Sequence, residues 1–519
     1  MSTFQGLELS KRALFAQQSA LYTTGHNISN VNTNGYSRQR VEFNATNPFP
    51  VPSRVMPNIP GQLGTGVEAG IVERIRNHFL DTQYRSETSR HEYWNTKQDG
   101  LERLESLLNE PSDSGLSKTM DQFWQSLQDL SKDPEDGGTR SVVGERGLAL
   151  AETFNYLSKS MQSIQGDLKE QIDGSVKDVN ALLRNINNLN EQIKKVEPHG
   201  LLPNDLYDER DRLIDRLSEE MNIKVHYEES SDSALDVAVG IASIELLDES
   251  GQSIGEDGVY LIDAKNNPLE NAVNELKVSY KENDDGSDYA QDIVSSISVE
   301  GYDDLEELEL KDSIGRLSAL VELYGFENAD GEIEGVYPET LDELNKMAKE
   351  FAGRFNEVHE EGIDANGENG VAFFVTKDGS EEITAENLTI NKDILKNGNL
   401  IAAGVEGKGS RNGDNALNLK EVFNEDIEAL NNGSTRKFYT SLIGDLAVET
   451  EEAIKMTENT ASLRNQVDES RMSVSAVSLD EEISNLVKFQ HAYNASARNM
   501  TAVDEMLERI INNMGIVGR

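Results

Sequence analysis

The residues that could do chemistry are few, and their spacing argues against catalysis. His359-Glu360-Glu361 lacks the second histidine of a zinc-protease helix motif, so it reads as a surface pair. Gly64, Gly66 and Gly70 miss the dinucleotide fingerprint by one residue and follow prolines, which makes them a loop. Gly407-Lys408 is followed by Gly409 where a phosphate loop needs Ser or Thr, and Ala402 stands where it needs Gly. Asn283 to Asp292 imitates part of a calcium loop, but Lys281 occupies the first ligand position and leaves at most a loose, weak cation site. The 7 histidines are scattered and cysteine is absent, which makes a structural zinc site improbable. No Ser-His-Asp or Cys-His set can be argued from spacing. The expectation is a protein without catalytic residues, metal or cofactor.

The composition points away from other classes as well. The chain has 519 residues, enough for two to four domains with cores of their own. An apolar fraction of 37% and an aromatic fraction of 6% favour an elongated, surface-rich shape over one large core. The net charge of −46, from 94 acidic and 48 basic residues, does not suit a nucleic-acid partner, which needs clustered Lys and Arg. It suits a soluble protein that must not associate early, or a host living in salt or at high pH. The missing cysteines fit either an ordinary cytosolic protein or an exported one that avoids thiols. Met1 to Phe15 carries Glu8, Ser10, Lys11 and Arg12 where a cleaved leader needs an apolar core, and no run is apolar enough to span a membrane. Export, if it occurs, is expected to use a route that reads no cleaved leader.

The elements follow from periodicity. Residues 2 to about 32 read as a helix, with Leu7, Leu14, Leu21 and Ile28 recurring every seven residues. The seam positions between them, Lys11, Gln18 and Gly25, are poor, so the apolar stripe is narrow. Asn27, Asn30, Asn32, Asn34 and Gly35 end that helix, and Pro48, Pro50, Pro52, Pro57 and Pro60 make an extended linker, with short strands around Val41 and Val67. Phe154, Leu157, Met161, Ile164, Leu168, Ile172, Val176, Val179, Leu183, Ile186, Leu189, Ile193 and Val196 step by three or four, which predicts one helix of roughly 45 residues, about 65 Å long. Such a helix implies a rod-like bundle, with partner helices near 100–130, 205–220, 338–360 and 440–470. Ile223 to Tyr227, Ala234 to Ile244 and Ile293 to Val299 read as β structure, and 363–430 as mixed, with a short strand at Val371 to Val375.

The C-terminal end mirrors the N-terminal one. Ser478 and Glu481 have capping-box spacing, and Asp480, Glu481 and Glu482 put negative charge at the positive end of the helix dipole. Leu486, Tyr493, Met500, Leu507 and Met514 then recur every seven residues, with Ile483, Ala497, Val503 and Ile510 beside them and Gln490 as the weak seam position. A narrow stripe on a terminal helix needs a partner. Periodicity leaves two open: the chain's own bundle, or the other terminal helix and then copies of the subunit.

Gly25-His26-Asn27-Ile28-Ser29-Asn30-Val31-Asn32-Thr33-Asn34-Gly35-Tyr36 closely resembles the N-terminal signature of the flagellar rod, hook and hook-associated axial proteins, and Ser37-Arg38-Gln39 resembles its junction branch. Val477 to Glu482, Phe489-Gln490-His491-Ala492-Tyr493-Asn494-Ala495-Ser496-Ala497 and Asp504 to Leu507 are similar to that branch's C-terminal signature, as are Asn204 to Asp211 and Asn465 to Ser470 inside the chain. The resemblance covers about the first 80 residues, much of 150–220 and about the last 80; roughly 223–430 departs most. It marks Asn27, Asn30, Thr33, Gly35, Tyr36, Asp480, Glu481, Gln490 and Asp504 as signature residues.

The resemblance implies a structural subunit of the bacterial flagellum, exported through the flagellum's own type III channel and assembled outside the cell as a ring joining hook to filament. Its terminal helices would be disordered in the monomer and pair as a coiled coil on assembly. Leu7, Leu14, Leu21, Ile28, Ile483, Leu486, Tyr493, Ala497, Met500, Leu507 and Met514 would then make the subunit interface. Implied partners are copies of itself, the hook protein, the next hook-associated junction protein and a cytoplasmic export chaperone covering Leu486, Met500 and Leu507; nucleic acid and membrane insertion are not implied. The expected fold is mainly α, an elongated multi-domain rod with a β-rich inserted domain. Residues 1–60 with 478–519 form the terminal coiled coil, 61–222 with 313–362 and 431–477 a helical bundle, and 223–312 with 363–430 an outer β-rich, mixed domain. The rivals are another axial protein such as the hook protein, or a junction protein whose acidic insertion carries a binding or hydrolytic activity.

Overall fold

The computed structural model describes residues 3–49, 64–108, 115–255, 258–281, 293–302, 313–328, 330–408 and 412–513. Along the chain run α1 (Thr3–Ser29), β1 (Gln39–Ala45), β2 (Val67–Arg74), α2 (His78–Leu108), α3 (Leu116–Lys132), α4 (Gly137–Val196) and α5 (Asn204–Glu220). Then come β3 (Ile223–Glu228), β4 (Ile241–Leu246), β5 (Val259–Ile262), β6 (Leu276–Lys281), β7 (Ile293–Val299), α6 (Arg316–Tyr324), β8 (Phe326–Glu327) and β9 (Ile333–Glu334). The chain continues through α7 (Val336–Glu360), β10 (Phe374–Thr376), β11 (Leu388–Ile390), α8 (Lys392–Lys396), α9 (Asp414–Glu421), α10 (Thr435–Ser475) and α11 (Leu479–Asn513). The Asn283–Asp292 loop, most of the proline linker and Met514 lie outside the described residues.

The predicted long helix is longer than its apolar stripe suggested: α4 has 60 residues, about 90 Å. It starts where the Asp136 side chain accepts hydrogen bonds from the amides of Gly138 and Thr139. The apolar stripe shows only from Phe154 because the first turns carry Gly137, Gly138, Gly144 and Gly147. Gly147 has a packing reason. A Cβ there would stand 2.7 Å from Ile390 Cδ1 and 2.8 Å from Phe373 Cε1, so glycine lets β11 and the Phe373 ring lie against the helix.

Asparagines on α4 bind the β segments to it. Asn180 donates to the Leu276 carbonyl and accepts from the Leu276 amide, both at 2.9 Å; Asn190 does the same for Ala242, at 2.9 and 3.0 Å. Each amide side chain stands in for a neighbouring strand and satisfies buried backbone groups. Asn155 donates to the carbonyls of Ala385 and Leu388. The segment 223–299 thus sits on the C-terminal half of α4, and 363–430 on its N-terminal half, beside α3, α7 and α9. The two segments grouped as one outer domain meet α4 at opposite halves.

The sheets are small: β3-β4-β5, β6-β7-β8-β9, and the pairs β1-β2 and β10-β11. The predicted run Ala234 to Ile244 yields a strand only from Ile241, because the chain turns before Gly240, whose φ is 80°. The helical region near 100–130 comprises the end of α2 and most of α3. His359 is a correction. It is fully buried, not a surface residue; its Nδ1 lies 2.6 Å from the Val371 carbonyl and its Nε2 accepts from the Ala402 amide at 3.0 Å. Burial pushes its pKa down to about 4.

Candidate functional site: the joint of the terminal helices

α1 and α11 pack against each other, and the β1-β2 hairpin lies on α1. They run antiparallel: a Cβ on Gly6 would meet Val503 Cγ2 at 3.6 Å, while the chain just past α1 grips the start of α11. The hairpin also reaches α11, with the rings of Phe43 and Phe489 6.0 Å apart. The fully buried positions of α1 are small or polar: Ser10, Ala16, Ala20, Thr23, Thr24 and Asn27. Leu7, Leu14, Leu21 and Ile28 form a half-buried flank. On α11, Leu486, Tyr493, Ala497 and Met500 are half-buried and Leu507 is buried, whereas Ile483 is 53% exposed.

The turn after α1 explains its signature residues. The Asn27 side chain donates to the Gln39 carbonyl at 2.8 Å and accepts from the Gln39 amide at 3.0 Å, so it pins the start of β1 onto the helix. The Tyr36 hydroxyl donates to Asn27 Oδ1 at 2.8 Å and lies 2.9 Å from His26 Nδ1. Burial, followed by Asp208, Asp205 and Glu482, raises the Tyr36 pKa and keeps the hydroxyl protonated. Asn30 donates to the His26 carbonyl, Thr33 donates to Asn30 Oδ1, and Gly35 takes φ 80° to reverse the chain. Arg38 then pairs with Glu481 at 2.8 Å and Glu482 at 2.9 Å, and its amide donates to the carbonyl of Ser475, the last residue of α10. The Glu481 carboxylate is therefore held by a guanidinium rather than closing the predicted capping box with Ser478. Asp480, Gln490 and Asp504 are exposed.

Beneath this turn lies a buried ionic cluster. Arg74 binds Asp208 and Asp211 at 2.8 and 2.9 Å; Arg76 binds Asp81 at 2.8 Å and Asp211 at 3.4 Å. Arg85 binds Asp215 at 2.8 Å, and Arg471 reaches Asp81 at 2.8 Å and Asp215 at 2.5 Å. Four guanidiniums thus face four carboxylates, so the cluster is neutral, and it joins β2, α2, α5 and α10. Burial alone would raise the Asp211 pKa, but Arg76, Arg74 and Arg85 outweigh it and hold the carboxyl well below its usual range. For Asp208 burial wins over Arg74 and the Ser37 amide, and its pKa is raised. Ser37, through its amide to Asp208 at 3.0 Å, and Gln39, through its side chain to Asp205 at 3.2 Å, tie the signature turn to α5.

The spacing of the residues did not by itself disclose this cluster. In the sequence Asn204 to Asp211 stands out only by its resemblance, yet Asp208, Asp211 and Asp215 step by three and four on α5, which puts all three on one face. With Arg74, Arg76 and Arg85 of alternate sign ahead of them, that face was the available signal.

The arrangement fastens two chain ends to a helical body. No group of three or more His, Cys, Asp or Glu among the described residues could hold a metal ion, and no described helix is long and apolar enough to cross a membrane.

Comparison with known proteins bears on this architecture. Residues 101–374 match the family described as flagellar hook-associated protein FlgK helical domain, and residues 469–514 match flagellar basal body rod FlgEFG protein C-terminal. The chain is 45% identical over 525 residues to flagellar hook-associated protein 1 of Bacillus subtilis (strain 168), covering 100% of each. It is 23% identical to the Salmonella typhimurium protein of that name, covering 96% of this chain and 98% of the relative. The solved structure of the flagellar hook junction protein FlgK from Burkholderia pseudomallei superposes with a TM-score of 0.59 at 13% identity, over 76% of this chain and 100% of that one, a likeness of fold.

Proposed function

The chain belongs to the flagellar hook-associated protein 1 (FlgK) family, and from that premise we propose that copies of it form a ring at the hook–filament junction through their paired terminal helices. Its role is that of a structural subunit of the flagellar axis. The helical body and β segments face outward, and the α1–α11 pairs line the inside as a coiled coil. The neighbours are further copies, the hook protein and the next hook-associated junction protein. Leu486, Met500 and Leu507 are covered by a cytoplasmic chaperone before export through the flagellar channel to a place outside the cell. The reading needs no catalytic group.

One observation carries it: pairing α1 with α11 leaves both helices with unused apolar surface. Phe4, Phe15 and Tyr22 share the α1 face turned away from the hairpin and α11, and are 67%, 55% and 77% exposed. On α11, Leu479, Ile483 and Val487 are 44%, 53% and 44% exposed. Contiguous exposed apolar side chains mark a surface that associates, and a second apolar face on an already paired helix calls for further helices. Deleting the gene tests the role. Hooks without filaments and flagellin spilled into the medium, both reversed by supplying this chain, are expected; a deletion strain that swims with normal filaments would overturn it.

A further inference from the structure

A cavity of about 650 Å³ opens between α2, α6, α7 and α10, with β7 and β8 completing its wall. Its lining concentrates like charge. Glu339 and Glu343 stand one turn apart on α7, and Asp445, Glu449 and Glu452 follow at four and three residues on α10. Like charges at these spacings destabilise a helix, and here two helices bring them to one hollow. The cation on this wall, among the described residues, is Lys97, which lies 2.6 Å from Glu322 and 5.8 and 5.7 Å from the ring centres of Tyr93 and Trp94. Burial, with Asp445 and Glu339, pushes the Glu343 carboxyl up; burial, with Glu339, Glu322 and Asp445 outweighing Lys97, does the same to Glu449.

Two hydroxyls give a separate sign. Ser313 and Ser318 line the same cavity, are only 3% and 5% exposed, and their Oγ atoms have no hydrogen-bond partner among the described residues. A buried hydroxyl without a partner is destabilising, and a ligand with N–H donors would supply one. The carboxylates are too spread out for a metal: no three among the described residues converge on one position. A ligand carrying several positive charges along a flexible apolar chain can reach carboxylates on two separate helices, and the volume falls in the roughly 300–1,000 Å³ range of small-molecule pockets.

We propose that this cavity binds a linear aliphatic polyamine. Its ammonium groups pair with the carboxylates of α7 and α10, its methylenes lie against Tyr93 and Trp94, where cation–π attraction adds to burial, and the Ser313 and Ser318 hydroxyls accept N–H bonds. The site is independent of how the terminal helices assemble.

Calorimetric titration of the full-length chain with spermidine, at fixed ionic strength, tests the assignment. One saturable site is expected, at least ten-fold weaker in the double variant Glu343→Gln/Glu449→Gln, with no saturable heat from magnesium chloride. The double variant keeps side-chain shape and relieves repulsion, so its thermal melt is expected at or above that of the native chain. As a second readout, Trp124→Phe leaves Trp94 as the single tryptophan, and its emission is expected to shift on saturation. Equal affinity in the double variant, binding that never saturates, or unchanged Trp94 emission at saturating spermidine would each overturn the proposal.

Discussion

Arg38 Nε donates to Glu482 Oε1 across 2.9 Å, joining two residues 444 positions apart in the chain. The Glu482 side chain is 3% exposed and that of Arg38 17%, whereas Glu481, the second carboxylate on Arg38, is 55% exposed. The inner contact therefore fixes how α1 and its hairpin sit on α11, and the outer one is largely screened by solvent.

Arg38→Ala is expected to destabilise the terminal unit by about 3 kcal/mol, because it strands the buried Glu482 carboxylate. Glu481→Gln is expected to cost under about 1 kcal/mol, as for an exposed pair. Amide hydrogen exchange checks both: Arg38→Ala should speed exchange in α1 and the first turns of α11 and leave α4 unchanged.

Asp211→Asn addresses the cluster beneath. It leaves four guanidiniums against three carboxylates in a buried place, at a cost of about 3–5 kcal/mol. Because the folded-state pKa of Asp211 is depressed, its contribution is fully present above the ordinary carboxylate range and is lost as pH falls through the folded value. Urea unfolding should give a gap between native and variant that is constant from pH 7 to pH 5 and closes only in strong acid.

The helical architecture was legible because α4, α7, α10 and α11 carry three-and-four apolar spacing along most of their length. Three things were not. The first turns of α4 hide behind glycines that exist for close packing, as at Gly147. The identity of α1's buried face is hidden because Ala16 and Ala20 are too small, and Thr23 too polar, to stand out as a stripe, while the conspicuous heptad Leu7, Leu14, Leu21 and Ile28 forms only its flank. The role of Asn180 and Asn190 is invisible to periodicity, since a polar residue on a helix reads as solvent-facing until a strand edge is brought to it. The signature residues Asn27, Tyr36 and Gly35 were recognisable by type and spacing, but what they do, pinning the start of β1 to α1, depends on contacts with Gln39 twelve residues from Asn27.

His359 gives a second pH dependence, of opposite origin. Burial holds it neutral, with a folded pKa of about 4 against an ordinary 6.5. Its contribution is complete above pH 6.5 and is lost as pH falls toward 4, about 3 kcal/mol in all. His359→Gln should be less stable than the native chain at pH 7, since it cannot bridge the Val371 carbonyl and the Ala402 amide in the same geometry. The difference should shrink between pH 6.5 and pH 4.5, a window in which Asp211 does not titrate, and thermal melts across that range measure it.

The two faces of the terminal helices separate docking within the chain from assembly between chains. Phe15 and Tyr22 are exposed in the monomer, whereas Leu507 is 8% exposed and lies on the α11 face toward α1. Phe15→Glu/Tyr22→Glu should therefore leave the circular dichroism and melting of the monomer within about 0.5 kcal/mol of native, as for surface substitutions, while abolishing filaments and swimming. Leu507→Glu should lower both, because a carboxylate placed in that seam must be desolvated or must open the helix pair, at about 2–4 kcal/mol. If the double variant swims normally, the outward aromatic stripe makes no contact between subunits. If Leu507→Glu leaves α1 exchange unchanged, the α1–α11 pair is not held from this face. The comparison is informative because both variants add negative charge to the same pair of helices, one on its outward side and the other in its seam.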